Sequence, residues 1–92
     1  MSATIPHMGW IKSAKANAVG VDARKAWDDG SPVFTPILNM PSSHPGSSGR
    51  IEDWEQMMAA ILEVGWLLHT WAVCSDAKGR PQAQPLFTRP AQ

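Results

Sequence analysis

Apolar residues recur at helical spacing most clearly in one stretch, Ile51, Trp54, Met58, Ile61 and Leu62. Glu52, Asp53 and Glu55 stand in its first turns, where the helix dipole favours anions. The spacing predicts a helix from about Arg50 to Val64. Gly65 supplies a residue that can take a positive φ and stop it, and Trp66 just beyond is placed to fold back on Ile61. The period then changes to two. Along Trp66 to Ser75, the positions Trp66, Leu68, Thr70, Ala72 and Cys74 alternate with Leu67, His69, Trp71 and Val73, and both sets are substantially apolar. Asp76-Ala77-Lys78-Gly79-Arg80 has the Asp-first, Gly-late chemistry of a hairpin turn, and Ala83 to Thr88 reads as the return strand.

Upstream, Val33 to Leu38 is β-prone, but Pro36 lacks a ladder donor and assigns this strand to an edge or a bulge. Pro85 marks the return strand in the same way. Trp66 to Ser75 carries no proline, so the expectation is that it lies in the centre of the sheet. Met40 to Gly49, rich in Pro, Ser and Gly, reads as a loop. Asp22 can cap a short helix over Ala23 to Asp29, anchored by Trp27 and stopped by Gly30. Residues 1–20, with Pro6, Gly9 and Gly20, fit neither period and are read as an arm. The expected architecture is therefore α+β: a small, antiparallel-rich, three-stranded sheet in β-α-β-β order, with one main helix on one face and a short N-terminal helix. Residues 21–90 form its single domain.

The chain is 92 residues long, which leaves room for one core and makes it easy for part of an apolar sheet face to remain uncovered. Eight basic and eight acidic residues cancel, so nothing draws the chain to a phosphate backbone in general, and nucleic acid is a disfavoured partner. No apolar run reaches the length of a signal peptide or a membrane span, so neither secretion nor insertion is expected. Cys74 is the only cysteine, which fits a reducing compartment and a cytoplasmic location.

With Gly65-Trp66, the hairpin and Phe87-Thr88-Arg89-Pro90 in place, residues 51–90 resemble a group of small uncharacterised bacterial domains that read as strand, helix ending in Gly-Trp, strand, hairpin and a last strand closing on Phe-x-Arg-Pro. That resemblance implies a fold and no activity. The Ala-rich, Trp-rich usage is also similar to that of a high-GC bacterium, its phages or plasmids, which suggests an accessory protein.

Candidate chemistry is sparse. There is no phosphate loop, dinucleotide fingerprint, zinc motif or nucleophile elbow, so the reading is that the chain is not an enzyme and carries no cofactor or metal. His7, His44 and His69 are far apart, Cys74 reads as a small buried hydrophobe, and Asp28 and Asp29 point apart on a helix end. Five tryptophans are the most unusual feature. Trp54 and Trp66 are assigned to packing, whereas Trp10 and Trp71 read as interface anchors. The functional expectation is a non-enzymatic homo-oligomeric interaction module, joined through a face carrying Leu67, His69, Trp71 and Val73 and extended by Trp10. The alternative is a binder of a nucleotide, another small anion or a short nucleic acid, through tryptophan and the cations Lys12, Lys15, Arg24, Lys25, Lys78, Arg80 and Arg89.

Overall fold

Ser13 opens the first helix, α1 (Ala14–Asp28), by accepting a hydrogen bond from the Ala16 N–H at 2.9 Å. The computed structural model describes residues 13–40 and 49–91. Helix α1 starts at Ala14 rather than at Ala23, so the last seven residues of what was expected as an arm, 14–20, are helical. Asp22, expected as its cap, lies exposed within it. The reason is Gly20, which reads as a break in the sequence but serves as a contact in the fold. A Cβ there would lie 3.3 Å from the Ala60 Cβ, so the glycine lets the two helices approach closely. Ala16, Val19 and Ala23 carry the same buried stripe. The helix ends where Gly30 predicts, at φ +82°.

The second helix, α2 (Glu52–Val64), matches the apolar spacing and buries Trp54, Met57, Ala60 and Ile61. Gly65 ends it at φ +128° and donates its N–H to the Leu62 carbonyl at 3.1 Å. Trp66 is then buried against α1: its Nε1 donates to the Ala23 carbonyl at 3.0 Å, and its ring stands edge-on to Trp27 at 5.1 Å. One indole thus ties the helix stop to the other helix.

Four strands form one antiparallel sheet: β1 (Val33–Phe34), β2 (Leu38–Asn39), β3 (Leu67–Ser75) and β4 (Pro81–Thr88). Strand β4 pairs with β3 on one side and with both β1 and β2 on the other. The central strand is therefore β4, and β3, expected in the centre, is an edge. Two prolines explain the reversal. Phe34 pairs with Phe87 and Leu38 with Ala83 in one continuous register, which sets Pro36 opposite Pro85. Neither has an N–H to exchange, so the ladder lapses over Thr35 to Ile37 and resumes beyond. Matched gaps let a proline sit in a central strand, and Pro85 is fully buried.

On the other side, Leu68 pairs with Phe87 and Thr70 with Leu86, which leaves His69 as the extra residue of a β-bulge. A one-residue insertion reverses the alternation beyond it. Leu68, Trp71 and Val73 therefore share the helix-facing side with Phe87, Pro85 and Ala83, their partners in β4. Leu67, Thr70, Ala72 and Cys74 lie on the opposite, open side. Sequence alternation had grouped Leu67 with Trp71 and Val73, and the bulge separates them.

Candidate functional site: the free edge of the sheet

The two edges of the sheet differ. The β1/β2 edge consists of two-residue strands interrupted around Pro36, which is one of the ordinary ways of making an edge unable to take on another strand. Strand β3 has none of that protection apart from its bulge. It runs for nine residues, contains no charge and no proline, and is exposed at every position. Its outer N–H and C=O groups have no strand opposite them among the described residues.

Beside this edge, on the helix-facing side, β3 reaches past the cover that α2 provides. Leu68 is 43% exposed, Trp71 47% and Val73 55%, and Leu62 on α2 is 46% exposed. Between the two elements runs a groove of about 540 Å³, walled by Ile51 just before α2, by Trp54, Met58 and Leu62 from α2 and by Leu68 and Trp71 from β3. Trp71 is held upright there by an edge-to-face contact with Trp54, at 6.0 Å and 74°. Trp54 is fixed in turn by donating Nε1–H to the Asn39 carbonyl at 2.9 Å. The charged residues on the groove wall, Arg50 and Glu55, pair with each other: Nε donates to Oε2 at 3.1 Å and Nη2 to Oε1. That pairing raises the Arg50 pKa and lowers that of Glu55, first through the hydrogen bond between them.

Most of the described cations proposed for an anion site are already engaged within the fold. Lys15 pairs with Asp53 at 3.2 Å, Lys25 with Asp29 at 3.5 Å, and Arg80 with Asp76 at 3.3 Å. Arg89 faces inward rather than toward a ligand. Its Nη2 donates to the Trp27 carbonyl at 2.6 Å and its Nε to that of Ser31 at 2.7 Å, with the guanidinium 4.4 Å from the Trp27 ring and 5.0 Å from that of Trp66. Arg80 and Arg89 flank opposite ends of β4, roughly 31 Å apart at 3.4 Å per residue. Arg24 and Lys78 have no ion pair among the described residues. Trp10 and Lys12, like His7 and His44, lie outside the described residues.

Cys74 is exposed on the open side, 3.9 Å from the Gln82 side chain, and is not the buried residue expected. Thr35, Ile37, Gln84 and Leu86 surround the opposed prolines in a second, shallow depression. Among the described residues, no three His, Cys, Asp or Glu side chains could hold a metal ion, and no helix is long and apolar enough to cross a membrane. Leu68, Met58 and Leu62 were missed as site residues because only the bulge turns Leu68 and Trp71 to the same side. No sequence pattern marks His69 as its extra residue. Comparison with known proteins finds no matching family model, no similar curated protein and no similar solved structure. The site is therefore defined by its geometry, and the resemblance drawn from Gly65-Trp66 and Phe87 to Pro90 brings no function to it.

Proposed function

We propose that the protein is a non-enzymatic interaction module that accepts an additional strand from a protein partner on the free edge of β3. The observation that carries this reading is the contrast between the two edges: β1/β2 is broken by proline, while β3 is long, uncharged and open. Edge-strand addition gives affinity through main-chain hydrogen bonds and selectivity through alternate side chains. Leu68, Trp71 and the groove beside them offer the apolar recess for those side chains. Against an anionic ligand stand the pairing of Lys15, Lys25 and Arg80 with carboxylates and the inward use of Arg89. The exposed thiol of Cys74 fits a reducing, cytoplasmic setting.

The test is selection of a phage-displayed library of uncharged random nonapeptides against the chain immobilised at low density, followed by amide hydrogen exchange with the enriched peptides. Enrichment of β-prone sequences that slow exchange within residues 67–75 is the expected result. No enrichment, or protection confined to the helices, would overturn the reading.

A further inference from the structure

Resting on the reading of β3 as a strand-accepting edge, we infer that the strand it takes is β3 of a second copy, antiparallel, about a two-fold axis perpendicular to the sheet. The first ground is charge. Strand β3 has no ionisable group other than His69 and Cys74, and the Arg50–Glu55 pair beside it is internally neutralised, so the surface matches an uncharged strand. The chain's own β3 is such a strand, of equal length. The second ground is satisfaction of the backbone. A foreign strand would pair one exposed β3 edge, whereas a second copy pairs two at once.

Geometry then selects the axis. A two-fold perpendicular to the sheet reverses the strand direction and keeps the faces, so Leu68, Trp71 and Val73 of both copies come to the same side. Helix α2 of each copy flanks them there. The two grooves become one trough across the axis, with Leu62 and Trp71 contributed from both sides, and the half-exposed apolar residues lose their contact with water. An in-plane two-fold would make the strands parallel and set the apolar side of one copy beside the open Thr70, Ala72 and Cys74 side of the other. The apolar strip would then stay half exposed.

Sedimentation of the full chain from 1 to 100 μM should show a species of twice the 10.0 kDa chain mass. Ala72→Lys and Thr70→Lys, at exposed positions on the open side, should each weaken assembly at least tenfold while melting like the parent at low concentration. Single-cysteine variants at positions 70 to 75, made in a Cys74→Ser background with position 74 restored as one of the set, should form disulfides under mild oxidation at one position and its immediate neighbours only. In an antiparallel pair, only the residue on the axis meets its own copy. Oxidation at several separated positions, or at none, would mean that the strands do not cross at one point and would overturn the proposed axis. A monomer at 100 μM, or a dimer indifferent to both lysines, would overturn the second-copy inference. If library peptides still protect residues 67–75 in that monomer, strand acceptance stands and only the identity of the partner falls; if they do not, both fall together.

Discussion

The six-membered ring of Trp27 lies directly over Gly65, so a Cβ built on that glycine would stand 2.8 Å from Cη2 and 3.2 Å from Cζ2. The glycine is therefore required twice, once by its φ of +128° and once by the ring above it. Neither atom can retreat easily, because Trp27 is also held by Trp66 at 5.1 Å and by the Arg89 guanidinium.

Gly65→Val should consequently destabilise the fold by about 2 kcal/mol or more, combining backbone strain with a steric clash in a packed region. For a domain of this size that is a fall in melting temperature on the order of 10 °C. Thermal denaturation followed by circular dichroism measures it, and a change below about 2 °C would show that the ring does not confine the turn.

Arg89 closes the C-terminal end of α1 by donating to the carbonyls of Trp27 and Ser31 while lying between two indole rings. Lysine has no planar fork and cannot make both hydrogen bonds while stacked. Arg89→Lys should thus recover little of the loss caused by Arg89→Ala, and each should lower stability by about 2 kcal/mol. Urea unfolding compares them, and full recovery by lysine would reduce the role of Arg89 to its charge.

Trp66 and Trp71 should answer the same substitution differently. Trp66→Phe leaves the buried Ala23 carbonyl without the indole N–H that now reaches it at 3.0 Å, and should cost about 1–3 kcal/mol. Trp71→Phe removes no hydrogen bond among the described residues and keeps a ring against Trp54, so monomer stability should move by less than about 0.5 kcal/mol. Equal losses in chemical denaturation at low concentration would mean that Trp71 belongs to the core.

Asp76 shapes the hairpin turn by accepting on Oδ1 from the N–H groups of Arg80 at 2.8 Å and Lys78 at 2.9 Å. These bonds, that of Arg80 foremost, hold its carboxyl below the usual aspartate range. A depressed folded-state pKa contributes stability that is present above the unfolded value, near 4, and is lost as pH falls through the lower folded value. The parent should therefore exceed Asp76→Asn in stability at pH 7, and the difference should shrink as the pH is lowered from about 4 through the folded-state value. Melting curves across that range test it; a constant difference would assign the effect of Asp76 to geometry alone.

The local rules reached some of these features and stopped at others for physical reasons. The apolar spacing from Ile51 to Leu62, Gly65 as a stop, and the Asp76 to Arg80 turn are decided within a few residues, by helix periodicity, a required positive φ and a side chain that bonds its own backbone. Each of them stands in the fold near where the sequence places it. The α+β class follows from them.

What only the tertiary structure decided depends on two segments meeting. Gly20 breaks a helix in isolation, yet in α1 it is the point where Ala60 comes close, so its meaning resides in α2. Pro85 argues for an edge by itself, and becomes central because Pro36 stands across from it in register. The bulge at His69 is likewise fixed by pairing with β4, where Leu68 and Thr70 find consecutive partners. That single extra residue turns Trp71 and Val73 to the helix side and leaves Leu67 on the other. Alternation along a strand is a local property and could be read from the sequence; the register between strands is a long-range one, and it determined which apolar residues share the free edge.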